Sequence, residues 1–527
     1  MVVPEDVVRV RVHPSVTVIP ARAFDRRHKL EEVELCEGLL EIGRQAFQEC
    51  SALKRISIPS TVTVIHNGAF AECWKLKELE LHEGLQRIEM YAFFQCNELK
   101  RLTIPNTVRS IGTLAFCHAY QLRHLQLPEG IENIEEYTFT WNRCSTCRIP
   151  PSLTRIPDHF IGSNCQSMFS IELSEGITDI EGAALQECHS LRNVAFPPNA
   201  QVEEIDEVFD SVQLYETASI SALKHRFDNL PIHKMIYYQS YNNVTSEQLN
   251  NATDIRYSKR RSKLNPTGSQ QDCLGMTPLH ILACSTVQNI ELYKVLITKY
   301  PETLVIEDRW GAIPLLYAVW GDAPDEIVQF LIESYKMFYP SYKLNWTQMV
   351  ITIGRVSVLT PVRNLLDIKQ ESFPEQSIDC NQMINELTKP QKITFLKEDH
   401  VSEEVFRYLV KYSLSERISA LGPRKWREDI ASKLEESFSF YYNTAKGWFD
   451  GVSSKLSGYE KEYINLREAT TVIELTLWNN QMTENLRVNG QPSKKRVKME
   501  EADLRKQCRV NCGANIIIEH VMPFLTG

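Results

Sequence analysis

The sequence predicts a solenoid of short strands followed by an all-helical region, and three observations predict it. An Ala-Phe pair returns every 23 residues at Ala23-Phe24, Ala46-Phe47, Ala69-Phe70, Ala92-Phe93 and Ala115-Phe116, with Thr138-Phe139 in step. An isoleucine keeps the same step five residues earlier, from Ile19 through Ile42, Ile65, Ile88, Ile111 and Ile134 to Ile180. Past residue 215 the period ends, and proline-led motifs with helical spacing replace it. A fixed period of this length marks coils that bury their apolar faces only against their neighbours. Such a body offers a long regular surface and no reaction chamber, so a binding protein is the first expectation.

The complete unit reads Leu53, Ile56, Ile58, Pro59, Val62, Ile65, Ala69, Phe70, Cys73, and Leu76 opens the next coil. Ile56 and Ile58 with Ser57 between them give the period of two of a half-buried strand over Leu53 to Ile58. Pro59, like Pro105 and Pro128, lacks the amide hydrogen a sheet ladder needs, so the chain turns there. Two turn sequences alternate. Ile58-Pro59-Ser60-Thr61-Val62 and Ile104-Pro105-Asn106-Thr107-Val108 are one form; Glu37-Gly38-Leu39, Glu83-Gly84-Leu85, Glu129-Gly130-Ile131 and Glu175-Gly176-Ile177 are the other. Their alternation gives a superperiod of 46 residues, the trace of growth by pairs of coils. These residues resemble the BspA-like class of leucine-rich repeats. With looser copies at Phe160, Leu185 and Phe209, the resemblance implies a leucine-rich repeat solenoid of about nine coils over residues 1–215.

Phe47, Phe70, Phe93 and Phe116 recur in phase with the isoleucines and so form one internal ladder. Cys50, Cys73, Cys96 and Cys188 share one repeat position and are expected inside as small apolar residues. Parallel stacking aims their Cβ vectors the same way, which is poor disulfide geometry. Cys144-Ser-Thr-Cys147 is a single CxxC without a second pair at zinc spacing, and Cys508 with Cys512 lies far away. No metal or cofactor is expected.

The next region, 216–370, begins its units with Leu230-Pro231-Ile232-His233, Thr277-Pro278-Leu279-His280 and Ile313-Pro314-Leu315-Leu316, with Thr360-Pro361-Val362 as a worn fourth. These resemble the T-P-L-H start of ankyrin repeats, which implies that Thr277, Pro278, Leu279 and His280 tie a helical hairpin and that His280 is structural. Gly275 and Gly311 stand where finger turns are expected. Leu292, Val295 and Leu296, then Ile327, Phe330 and Leu331, supply second helices. The prolines fall 47, 36 and 47 residues apart, so the groove is irregular.

Residues 371–527 read as helical. Ser402 precedes Val405, Phe406, Leu409, Val410, Leu414, Ile418 and Leu421, closed by Gly422-Pro423. Val452, Tyr459, Leu466 and Ile473, with Leu456, Tyr463, Thr470 and Leu477, form about four heptads. Two readings of 452–477 stand: packing on the preceding helix, or dimerisation. A last amphipathic segment runs from Ile516 to Leu525.

The composition is globular throughout, 43% hydrophobic and 24% charged over 527 residues, and the net charge of -9 argues against general nucleic-acid affinity. No apolar run approaches membrane length, and Met1 to Val12 lacks the order of a signal peptide. The expectation is a soluble, reduced, cytoplasmic protein. Two basic runs, 259–263 and 494–498, read either as solvated surface or as nuclear signals. No phosphate loop, dinucleotide fingerprint, zinc-protease or nucleophile-elbow motif occurs. The chain therefore reads as a non-catalytic scaffold that binds protein partners and no small-molecule substrate. A nuclear adaptor is the alternative, and a surface adhesin would need a secretion signal. The candidate docking feature is a column of positive charge: Lys54, Lys77, Lys100 and Arg123 follow the strand-opening leucine in successive coils, with Arg192 later. Stacked like charges repel, so nearby acids, for which Glu78 and Glu80 are placed, or an acidic or phosphorylated partner must offset them. Glu37, Glu83, Glu129 and Glu175 are expected on the turn side, limiting the register of that partner.

Overall fold

The computed structural model describes residues 3–202 and 218–379, apart from 162–164, 166, 186–187, 254–267 and 356–358, and a few positions beyond, up to 409. Each coil supplies two short strands. The first ladder runs Arg9–Arg11, Glu32–Glu34, Arg55–Ile58 and Glu78–Leu81 as one parallel sheet, continued by Arg101–Thr103 with His124–Gln126 and by Thr146–Arg148 with Ser170–Glu172. In the second, six strands from Val18–Ile19 to Asn133–Ile134 pair in parallel, followed by Arg155–Ile156, Asp179–Ile180 and Gln201–Val202. The isoleucines predicted to keep step do so: Ile19, Ile42, Ile65, Ile88, Ile111 and Ile134 are cross-strand partners in turn. Later coils change length by one residue, since Ile156 pairs with Ile180 and Ile180 with Val202. Among the described residues eight coils carry both strands. A ninth is partial, with Asn193 bridged to Ser170 and the Gln201–Val202 strand; Phe209, the looser copy expected there, lies outside the described residues.

The Ala-Phe segment makes the third side of each coil. Its amides bond forward to the next coil, Phe47 N to Ala69 O at 2.7 Å and Phe93 N to Ala115 O at 2.8 Å. Residues on either side of the pair take left-handed backbone, such as Gln45 and Glu49 (φ 56° and 55°) or Tyr91 and Gln95 (59° and 57°). Non-glycine residues resist that conformation. Their amides repay it by joining the same ladder, Gln45 N to Asn67 O at 2.9 Å and Glu49 N to Ala71 O at 2.8 Å.

Inside, the phenylalanine ladder is continuous. Phe24, Phe47, Phe70, Phe93, Phe116 and Phe139 stack with centroids 4.8 to 5.6 Å apart and planes within 6°. Phe47, Phe70, Phe93 and Phe116 have no exposed surface. Beside them Cys50, Cys73 and Cys96 are buried free thiols, and each donates to a phenylalanine carbonyl 26 residues back, at 3.2, 3.3 and 3.5 Å. Desolvation pushes the Cys50 thiol up to about 12 and raises the other two as well. Cys165 belongs to the same column, with its thiol on the Phe139 carbonyl at 3.6 Å, a member the sequence reading passed over.

Residues 218–379 are helical among those described. Prolines open three helices, Pro231–Tyr237, Pro278–Ala283 and Pro314–Trp320, where a missing amide hydrogen costs nothing. Each packs on the next, and Ser246–Thr253, Ile290–Lys299 and Asp325–Phe338 pack in a parallel row. The helix Leu359–Ser372, with Pro361 in its first turn, packs on Pro314–Trp320; the extra length before it is the helix Trp346–Gly354. The Thr277 amide and hydroxyl meet His280 Nδ1 at 3.2 and 2.9 Å, while His280 Nε2 meets the Ala312 carbonyl at 3.1 Å. His233, one unit earlier, meets the Gln270 carbonyl at 2.9 Å in the same way. Burial lowers the pKa of both imidazoles, that of His233 to about 4, as neutral hydrogen-bonded tethers require. Gly275 and Gly311, at φ 75° and 71°, sit in the finger turns, where Asp272 and Asp308 accept backbone amides.

Solenoid and helices form one compact unit, Met1–Ile378; Asp379–Gly527 is the second. In the latter, Val405 and Leu409 are helical and buried, as their spacing predicts. The heptads of 452–477, both basic runs, Cys508, Cys512 and the segment 516–525 lie outside the described residues.

Candidate functional site: the open strand face

The first-ladder strands begin as a half-exposed sheet and end as a buried one. Arg55, Ser57, Glu78, Glu80, Arg101 and Thr103 point outward, whereas Ser170, Ile171 and Glu172 are all buried. The helices cause the difference. Tyr237 hydroxyl accepts from Leu173 N and Ala195 N, both at 3.1 Å, and donates to the Ile171 carbonyl at 3.0 Å. Tyr241 hydroxyl bridges the Ile149 and Glu172 carbonyls at 2.8 Å. The buried Glu172 carboxylate accepts Thr286 N at 2.6 Å and Ser240 Oγ at 2.7 Å; desolvation outweighs these bonds and raises its pKa. Deeper still, Arg226, with a fully buried side chain, pairs with Asp272 at 2.7 Å and donates to Asn193 Oδ1 and the Val194 carbonyl of the last coil at 2.8 and 2.9 Å.

On the open coils the charges alternate in sign along the register. Arg9, Glu32, Arg55 and Glu78 are successive cross-strand partners, with Arg9–Glu32 at 3.2 Å and Arg55–Glu32 at 3.5 Å. Beside them runs the predicted positive column. The backbone stacks as expected, Lys77 N on Lys54 O at 2.8 Å and Arg123 N on Lys100 O at 3.0 Å. Lys54, Lys77 and Lys100 are exposed and Arg123 is half-buried. Acids offset part of the column: Lys54 meets Glu31 at 2.8 Å and Lys77 meets Glu98 at 3.0 Å. Offsetting acids were expected at Glu78 and Glu80; the partners are instead Glu31, one coil before Lys54, and Glu98, which reaches back from the next coil to Lys77.

One expectation about this face is corrected, and the turn glutamates, on the turn side as expected, have a structural role besides. Arg192 is 8% exposed, its guanidinium over the Trp310 and Trp320 rings at 5.3 and 5.2 Å, because the helices cover its coil. The turn glutamates hold neighbouring elements. Glu37 accepts Ser60 N and Oγ at 3.3 and 3.1 Å, and Glu83 accepts Asn106 N and Thr107 N at 3.1 Å. Glu129 pairs with Arg148, and Glu175 with Lys234 at 2.8 Å. In return Thr61 and Thr107 hydroxyls accept Gly38 N and Gly84 N at 3.0 and 2.9 Å. The 46-residue superperiod is therefore a lock between unlike turns: one form supplies a carboxylate, the other the amides that satisfy it.

Among the described residues no group of three or more His, Cys, Asp or Glu side chains is placed to hold a metal ion. Cys144 and Cys147 are buried free thiols, and desolvation drives the latter to about 12. No described helix is long and apolar enough to cross a membrane.

The family of BspA type leucine rich repeat regions matches residues 6–118 and 86–213, in six copies. No curated protein matches the chain. Solved structures that resemble it include a leucine-rich repeat protein of T. pallidum, 24% identical over 33% of this chain and 72% of that one, at a TM-score of 0.24. A leucine rich cell surface protein of Faecalibacterium prausnitzii is 21% identical over 39% and 77%, at 0.25. The pneumococcal vaccine antigen PcpA is 16% identical over 38% and 76%, at 0.18.

Proposed function

Taking as premise that residues 6–213 are a BspA type leucine-rich repeat region, we propose that the protein is a non-catalytic, intracellular scaffold that docks a protein partner on the strand face of its first five coils. One observation carries this reading: the helices cover the last coils and leave Arg55, Glu78, Glu80 and Arg101 outward-facing. A surface of fixed, alternating charge on rigid strands suits specificity and steering more than raw affinity. The column of Lys54, Lys77 and Lys100, which runs on to Arg123 at the start of the sixth coil, favours an acidic or phosphorylated segment lying across the strands. The helical region, ankyrin-like in its Thr277 to His280 tether, closes the solenoid at one end. The test is partner capture from cell extract by the full chain beside Lys77→Glu/Lys100→Glu. Exposed substitutions change stability by less than about 0.5 kcal/mol, so loss of specific partners with an unchanged melting curve supports the reading. Equal yield of the same partners overturns it.

A further inference from the structure

His66 stands at the corner between the second strand and the Ala-Phe segment of the third coil, and both of its ring nitrogens face carboxylates. Nε2 meets Glu41 of the second coil at 3.1 Å, and Nδ1 meets Glu89 of the fourth at 3.2 Å. The side chain is 29% exposed, on a backbone ladder in which His66 N meets the Ile42 carbonyl and Glu89 N the Ile65 carbonyl, each at 3.0 Å. Glu89 also accepts Asn67 N at 3.1 Å. A glutamate returns at this corner in alternate coils: Glu135 accepts the amide and hydroxyl of Thr113 at 2.8 Å, and Glu181 accepts the Asp158 amide at 2.6 Å. One coil before those two, the place of His66 is taken by Gly112 and Pro157. Of the three corners, only the one at Glu89 sets an imidazole against the carboxylate.

A neutral imidazole carries one N–H and one lone pair, so with carboxylate oxygens on both sides it must aim the lone pair at one of them. Only the imidazolium donates to both. Burial favours the neutral ring, but the hydrogen bonds and charges of Glu41 and Glu89 outweigh it and raise the pKa above its ordinary value. The same two neighbouring coils also bring Arg44 and Arg87, which are exposed and pair with neither nitrogen. We propose that His66 is a proton-operated staple: as an imidazolium it binds the second, third and fourth coils together through Glu41 and Glu89, and on losing its proton it releases one of them. A group whose folded-state pKa lies above its unfolded value contributes stability that is full below the unfolded value, about 6.5, and fades as pH rises through the folded one. The corner is therefore tighter in mild acid and loosens toward alkaline pH. The staple lies on the second ladder and does not depend on docking at the first.

Hydrogen exchange at the imidazole C2 position, read by mass spectrometry across pH, follows each histidine of the full chain separately. The His66 midpoint is expected above about 6.5, and lower by at least about half a pH unit in Glu41→Gln and in Glu89→Gln. A midpoint at or below the ordinary value, or one that either substitution leaves in place, overturns the proposal. Urea unfolding supplies a second readout. His66→Gln keeps a polar group at the corner, so its cost relative to wild type should be larger at about pH 5.5 than at about pH 9. An equal cost at both overturns the staple even where the titration is as expected.

Discussion

Phe93 lies between Phe70 and Phe116 with both centroids 5.2 Å away and no surface exposed. Its position follows from the sequence alone, because a ring that recurs in phase with a buried isoleucine has nowhere else to go. Phe93→Ala removes a ring from a ladder that cannot close around the gap, and should cost about 3 to 5 kcal/mol in urea unfolding; a loss under about 1 kcal/mol would show the ladder is not core. The roles of single polar residues were less legible. Arg192 and Lys77 occupy one repeat position and read alike, yet one is stacked on tryptophans and the other is in solvent. Nothing local distinguishes them, because the difference comes from helices far along the chain.

At the scale of the element, the coil is a contract between neighbours. Strand, turn and Ala-Phe segment were readable because each has a local signature: period two, proline, and the recurring pair. The lock between unlike turns was visible only as an alternation, since its bonds join residues 22 to 24 apart. Gly84 shows how tight it is. At φ 116° its backbone suits glycine, and an added Cβ would run into the Ser60 carbonyl of the preceding coil. Gly84→Ala should therefore destabilise by about 1 to 3 kcal/mol, with hydrogen exchange rising first at the 58–62 and 81–85 turns. Uniform exchange across the array, or no loss at all, would contradict the lock.

At the scale of the whole molecule, solenoid and helices act as one body because polar groups are buried between them. The T-P-L-H motifs announced helices, and the 47-residue interval before Pro361 announced added chain, here the helix Trp346–Gly354. That those helices would lie on the last strands was illegible: Arg226, Glu172 and Tyr237 carry no motif, and their partners stand 32 or more residues away. Removing one member of a buried ion pair strands the other, so Asp272→Ala should cost about 3 to 5 kcal/mol and loosen the helices from the last coils. Limited proteolysis should then release the first coils as a separate fragment; a variant as resistant as wild type would show the pair is dispensable.

The central claim is that partners meet the outward strand residues of the first five coils. A photo-cross-linking amino acid placed at Glu80, on the open face, or at Met337, 68% exposed on the helical region, reads this directly in cell extract. Specific adducts from position 80 and none from 337 are the predicted result. Adducts from 337 alone would contradict the claim and move the docking surface to the helices.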